Sequence, residues 1–155
     1  EGKKLWILST APIGAKKIFR AKINAHLLLC GIPAAVLSLS SAIAFGYGIK
    51  NTLVQLVFCL GFVYLSAVLG LLLNLKMPNL DWTNETVPIK QGAPVLIAFF
   101  GGWLVSVIIG IGAYLTRIII PTDYYLLFFG ALFIAAALII NSYLSKNDEK
   151  LFLNL

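Results

Sequence analysis

Four long stretches of the chain are apolar and contain no Asp, Glu, Lys or Arg, and this feature restricts the fold more than any other. A helix that crosses the hydrocarbon core of a bilayer needs about 20 consecutive apolar residues. The stretches cover residues 23–49, 51–75, 95–116 and 124–145, so each of them is long enough. They are apolar on every side rather than alternating, which predicts helices and not the strands of a membrane barrel.

The composition agrees with a membrane-embedded chain. Hydrophobic residues make up 60% of it and charged residues 12%, whereas soluble domains carry about 25% charged residues. We therefore predict an all-α fold, a polytopic membrane helical bundle. A basic cytoplasmic segment over residues 1–22 would be followed by a four-helix transmembrane region over residues 23–155, with the lipid bilayer as its solvent.

The basic residues lie mostly on one side of these spans. Of the 12 Lys and Arg residues, six precede the first span, two lie between the second and third, and two follow the fourth, which leaves only Lys50 and Arg117 for the other side. Short loops rich in Lys and Arg face the cytoplasm. We expect a multi-pass protein of the cell membrane with both ends cytoplasmic. This asymmetry also accounts for the net charge of +6, so no nucleic-acid partner is predicted.

The segment before the first span has a helix break and then a basic amphipathic pattern. No signal-peptide pattern follows Glu1, so we expect the chain to begin inside a longer protein. Pro12 interrupts the first apolar run. After it, apolar residues such as Ile18 and Phe19 alternate with basic ones. Such a stretch is typical of a helix that lies on the membrane surface.

Two groups of residues resemble the cytoplasmic loops of a known family. The first group is Glu1, Gly2, Leu5, Leu8, Ala11, Pro12, Ile13, Lys16, Ile18, Ala21 and Lys22. It resembles the loop of ABC-2 type exporter permeases, in which a glutamate-glycine start leads to a proline turn and a lysine. Residues 77–86 and 89–92 are similar to a later loop in such permeases of Gram-positive bacteria. The resemblance implies the last four helices of a six-helix unit, although residues 117–123 are short for the external re-entrant element that many of these permeases carry.

The resemblance also implies partners. A permease of this kind works with a separate ATP-binding cassette subunit, and a second permease half or copy is a further candidate. No phosphate-binding loop occurs in the chain, so we expect no ATPase or other enzyme activity and no cofactor here. The residues expected to contact the ATPase are Glu1, Pro12, Ile13, Lys16 and Lys17. The alternative for this segment is binding to anionic lipid headgroups.

The loop between the second and third spans is a second candidate contact with the ATPase. It would act through Asp81, Trp82 and Glu85. The alternative is an interfacial tether that Trp82 anchors in the membrane.

Small residues recur inside the spans at spacings that allow close helix packing. These packing seams would contain Ala34, Ser38, Ala42 and Gly46 in the first span, Ser66 and Gly70 in the second, and Gly102, Ser106 and Gly110 in the third. Pro33 is a candidate kink. Part of the polar set has a second interpretation as the lining of a substrate path, namely Ser38, Ser41, Tyr64, Ser66 and Trp103.

Candidates for chemistry are few. His26 is the only histidine and is expected to be a free interfacial imidazole, and neither Cys30 nor Cys59 has a nearby second ligand for a metal. Arg117 and Asp123 are expected to pair across the outer loop. An ion-coupled transporter or channel, which would place ionisable residues in the membrane, stays an alternative function. So does a structural or assembly membrane subunit, or a membrane enzyme with its active site upstream. The sequence does not identify a substrate.

Overall fold

The computed structural model describes residues 14–78 and 92–148. Over these residues the chain forms four long helices: α1 (Ala15–Ala44), α2 (Ile49–Lys76), α3 (Ala93–Thr116) and α4 (Thr122–Lys146). The described ranges contain no β-strand. All four helices are long and apolar enough to cross a membrane. The prediction of an all-α bundle with four membrane-length helices is therefore confirmed.

Residues 15–22 of the basic segment are part of the first helix. α1 begins at Ala15 and continues into the apolar span without a break. Ala15, Phe19 and Ile23 are buried and recur every four residues, so they form one stripe along the helix. Between Ala15 and Gly31 the sequence contains no proline or glycine. The expected helix lying flat on the membrane is replaced by a continuous helix that packs on the bundle.

A short wide turn divides α1 in two. Residues Leu27–Gly31 form a π-helical turn between the α-helical segments Ala15–His26 and Ile32–Ala44. Pro33 is the second residue after this turn. Proline has no amide hydrogen and its ring crowds the preceding turn, and a π turn is one way a helix accommodates such a defect. The distortion expected at Pro33 thus takes the form of a π turn on its N-terminal side.

The turn between α1 and α2 lies at a different position from the one predicted, so the ends of both helices differ from the predicted ends. Gly46 has a φ of 66°, a conformation that glycine adopts without steric penalty. The amide of Tyr47 donates to the Ala42 carbonyl at 2.9 Å, as in a Schellman cap. α1 therefore ends at Ala44 and not at residue 49. Gly46 terminates the helix and does not extend its packing seam, and α2 begins at Ile49, before the predicted residue 51.

α2 is the central helix of the bundle. It has its most extensive contact with α4, and it also packs against α1 and α3. α2 and α4 approach most closely at two glycines, because a Cβ atom built on Gly61 would lie 2.9 Å from the Gly130 carbonyl oxygen. α3 is the most weakly packed of the four described helices, and its buried residues are Pro94 and Ile109.

The outside of the bundle is strongly apolar. Large side chains on all four helices are exposed, among them Leu29, Ile43, Leu53, Phe99, Phe100, Ile108, Phe128 and Ile139. A soluble monomer rarely exposes contiguous apolar patches of this extent. In a bilayer these side chains would contact lipid tails, which are as apolar as leucine, so their exposure has no such cost there. The fold is consequently that of a multi-pass membrane protein.

Candidate functional site

The two ends of the bundle differ in charge. One end is formed by the start of α1, the end of α2, the start of α3 and the end of α4, and we call it the basic end. Its described basic residues are Lys16, Lys17, Arg20, Lys22, Lys76 and Lys146. The one acidic residue described there is Asp148. The opposite end carries Lys50, Arg117 and Asp123 among the described residues.

An apolar cluster fixes the first turns of α1 to the rest of the bundle. It contains Phe19, Ile23, Ala67, Val68, Leu71, Leu75 and Leu144, all buried, and we call it the basic-end core. Phe19 is only 4% exposed. Lys16 and Lys17 of the same helix are exposed, and Lys16 lies beside the stripe, near Leu144 of α4. The segment predicted to contact an ATPase therefore presents its charges outward while its apolar stripe is held by α2 and α4.

His26 is not the free imidazole that the sequence suggested. Its Nε2 lies 3.2 Å from the hydroxyl oxygen of Ser66, which joins α1 to α2. The Ser66 hydroxyl has one hydrogen, and it donates this to the Val63 carbonyl at 2.8 Å. The imidazole of His26 therefore links α1 to α2.

Two further polar contacts join the helices at depth. The Asn141 amide donates to the Tyr64 hydroxyl at 3.1 Å, between α4 and α2. The Gln55 amide donates to the Ser41 hydroxyl at 2.8 Å, between α2 and α1. The sequence analysis did not select Gln55 or Asn141. The sequence does mark both residues as candidates for helix contacts. An amide side chain inside a span costs free energy unless it forms hydrogen bonds with a neighbouring helix.

The residues considered for a substrate path are not gathered in one place. Ser38 is buried at 2% exposure, and its carbonyl accepts a hydrogen bond from the Ser41 hydroxyl within α1, while Ser41 also accepts the bond from Gln55 of α2. Tyr64 and Ser66 bind Asn141 and His26, as described above. Trp103 is 64% exposed on the outer face of α3. The first four residues lie in helix contacts, and the tryptophan is separate from them.

The end of the bundle opposite the basic end has a cavity of about 700 Å³. Side chains of the α1–α2 turn, α2 and the start of α4 line it: Tyr47, Asn51, Val54, Gln55, Phe58, Cys59, Thr122, Asp123 and Leu126. The volume lies in the range of small-molecule sites. The side-chain carbonyl oxygen of Gln55 is buried and has no hydrogen-bond partner among the described residues. Because this atom is buried, it is not exposed to the cavity, although other atoms of Gln55 line it.

The charged residues at this end pair differently from the expectation. Asp123 accepts a hydrogen bond from Lys50 at 2.5 Å, and the two form a salt bridge between α4 and α2. The guanidinium of Arg117 lies over the Tyr114 ring, 4.3 Å from its centre. The predicted Arg117–Asp123 pair is therefore wrong, because the turn at Gly46 places Lys50 inside α2 and within reach of the carboxylate.

Several predicted contact residues lie outside the described part of the chain. These are Glu1, Pro12 and Ile13 of the first cytoplasmic segment and Asp81, Trp82 and Glu85 of the second. Of the predicted ATPase contacts, the described ones are Lys16 and Lys17.

The described residues hold no group of three or more His, Cys, Asp or Glu side chains that could bind a metal ion. Cys30 is exposed and Cys59 is half-buried, and both are free thiols.

No protein-family model, no curated protein and no solved structure matches this chain. Its class therefore comes from the fold and the chemistry described above. It is an all-α, multi-pass membrane protein with four apolar helices and one strongly basic end.

Proposed function

We propose that this chain is the transmembrane permease part of an ATP-driven ABC exporter. It would move its substrate across the cell membrane together with a separate ATP-binding subunit, and its basic end would face the cytoplasm. The observation that carries the proposal is the continuity of residues 15–22 with the first spanning helix, combined with the burial of Phe19 and Ile23.

A transport subunit driven from outside the membrane needs a rigid element that passes motion to its spanning helices. The Ala15–His26 segment of α1 meets this requirement, since its 12 residues extend about 18 Å at 1.5 Å per residue. Its basic start is held by the basic-end core, where Val68 is fully buried. Close-packed interiors transmit displacement with little compression. A force on the exposed face of α1 would therefore reach α2 and α4.

The π turn supplies a site where the two halves of α1 can change their relative angle. It lies directly after the segment held by the basic-end core and just before Pro33. Mid-helix π turns and prolines weaken the regular hydrogen-bond ladder. The inner half of α1 can then follow a partner while the outer half stays packed against α2.

Exposed basic side chains supply the contact surface for the partner. Lys16 and Lys17 are exposed at the start of α1, and Arg20 is exposed one turn later. An acidic groove on the ATP-binding subunit would complement this surface, and such charge complementarity speeds encounter and fixes orientation.

The test is co-purification of the full-length protein from its native membrane in a mild detergent. We expect an ATPase with a phosphate-binding loop to come with it, and we expect the K16E/K17E variant to lose that ATPase. The matched control is K146E, which reverses a charge at the same end of the bundle but on the last residue of α4. The control should retain the ATPase.

Two results would contradict the proposal. One is an intact complex that contains no ATPase, which would favour an independent channel or transporter. The other is equal loss of the ATPase in K16E/K17E and K146E, which would show that general charge, and not the α1 segment, holds the partner.

A further inference from the structure

A second cavity lies at the basic end, among α1, α2 and the start of α3. It has a volume of about 450 Å³ and two unlike walls. The polar wall contains Lys22 and His26 of α1 with Ser66 and Asn74 of α2. The apolar wall contains Pro94, Val95, Ala98 and Phe99 of α3. A molecule that fits both walls needs a polar group and an apolar chain.

The spacing along the helices explains the polar wall. Lys22 and His26 are four residues apart, so they lie on one face of α1. Ser66, Gly70 and Asn74 follow the same spacing on α2 and all line the cavity. No described atom lies within 4 Å of a Cβ atom built on Gly70. The glycine therefore leaves open space between the two polar residues of α2.

The charge at this end selects an anion. Six described basic residues and one acidic residue lie at the basic end, and Lys22 brings one of these positive charges to the cavity. The side-chain amide of Asn74, which lines the cavity, can donate hydrogen bonds. An ammonium group and an amide donor together suit a phosphate group.

The other wall selects a lipid over a soluble phosphate. Val95, Ala98 and Phe99 are exposed on α3, the most weakly packed described helix. The cavity also lies near the last turn of α2 and the first turn of α3, close to where a spanning helix meets the headgroup layer. An acyl chain can follow the α3 wall while the phosphate reaches the polar wall.

We propose that this cavity binds an anionic phospholipid from the leaflet at the basic end, with its phosphate between Lys22 and Asn74 and an acyl chain along Val95, Ala98 and Phe99. The site is independent of the proposed exporter function, because it needs neither an ATPase nor transport. The lipid would fill the space between α3 and the pair α1 and α2, and so stabilise the position of α3.

Titration calorimetry on the full-length protein in a neutral detergent tests the site. The probes are dioctanoyl phosphatidylglycerol, dioctanoyl phosphatidylcholine and glycerol 3-phosphate. We expect the wild type to bind the phosphatidylglycerol at least about fivefold more tightly than the phosphatidylcholine, the effect of one charge near a membrane surface. Glycerol 3-phosphate, which lacks an acyl chain, should bind much more weakly than either lipid.

Three variants separate charge from shape. K22Q removes a charge from the polar wall and should weaken phosphatidylglycerol binding about fivefold. A98W fills the cavity from an exposed position on α3 without changing charge, and it should weaken both lipids. K76Q is the matched control, because Lys76 is exposed at the same end and does not line the cavity. It should stay within about twofold of the wild type.

The proposal fails if K22Q and A98W both bind the phosphatidylglycerol as the wild type does. It also fails if K76Q loses as much affinity as K22Q, since attraction to the whole basic end would then explain the binding. Equal affinity for glycerol 3-phosphate and the lipid would assign the polar wall to a soluble phosphate and overturn the lipid assignment.

Discussion

Gly61 of α2 and Gly130 of α4 face each other at the closest approach of the two helices. A Cβ atom on Gly61 would lie 2.9 Å from the Gly130 carbonyl oxygen, and one on Gly130 would lie 3.1 Å from the Phe58 Cα atom. Both neighbours are backbone atoms, which cannot rotate away. The most extensive helix contact in the described structure therefore depends on the absence of two side chains.

Replacing either glycine by alanine is expected to force α2 and α4 apart. G61A and G130A should each lower the free energy of unfolding in detergent by about 1 to 3 kcal/mol, the usual effect of overpacking. G70A is the matched control on α2, since no described atom lies within 4 Å of its Cβ position. Reversible denaturant unfolding of the three variants measures this. A loss in G70A as large as in G61A and G130A would contradict the claim that close helix approach sets the result, since alanine by itself favours a helix over glycine.

The hydrogen bond between Tyr64 and Asn141 is expected to couple α2 and α4 weakly. Measured bonds of this kind between membrane helices average about 0.6 kcal/mol. A double-mutant cycle with Y64F, N141L and the combined variant should give a coupling free energy of that size. If Tyr64 belongs instead to a hydrated substrate path, water replaces the lost partner. The coupling free energy would then be zero within error.

The salt bridge between Lys50 and Asp123 is expected to act mainly as a charge contact at the end opposite the basic end. Exposed pairs of this kind are weak and are screened by salt. D123K places two like charges together and should lower the thermal unfolding midpoint at low ionic strength. The exchange variant K50D/D123K should restore most of the loss, and the difference should shrink as sodium chloride is raised. R117Q is the control and should change little. A larger loss in R117Q than in D123K would favour the pair expected from the sequence.

The basic start of α1 is expected to depend on Phe19 for its attachment. F19A removes a buried aromatic side chain from the basic-end core and should lower the free energy of unfolding by about 3 kcal/mol. I18A is the matched control, because Ile18 is the preceding residue and is only half-buried. Hydrogen exchange should also show faster opening at the start of α1 in F19A than in I18A. Equal exchange in the two variants would contradict the packing of this segment on α2 and α4.

The four helices could be predicted from the sequence because each span is long, apolar and free of charge. The ends of the spans were less predictable. The Schellman cap at Gly46 moves Lys50 into α2, and hydropathy does not report such a turn. The continuity of α1 was missed because a basic amphipathic pattern fits both a surface helix and one that packs on a bundle. In this chain the stripe of Ala15, Phe19 and Ile23 meets an apolar surface of α2 and α4.

Most of the contacts between helices could not be predicted from the sequence. Gly61 and Gly130 are single small residues on different helices, so no repeat within one span marks them. His26 and Ser66 are 40 residues apart, and their bond depends on the rotation of two helices. The polar types of Gln55 and Asn141 indicated that they need partners, but not which partners. The sequence could therefore supply the candidates for polar contacts, whereas the packing of the helices decides the pairs.

The central structural claim is that the four helices cross a membrane and that the basic end lies on one side of it. Side-specific labelling of single cysteines in intact cells tests this most directly, on the full-length protein with Cys30 and Cys59 replaced by alanine. The account predicts that K16C and K146C react with a membrane-impermeant maleimide only after permeabilisation, and that I118C, in the exposed turn between α3 and α4, reacts in intact cells. Labelling of K16C and K146C from opposite sides would mean an odd number of crossings and would contradict the account.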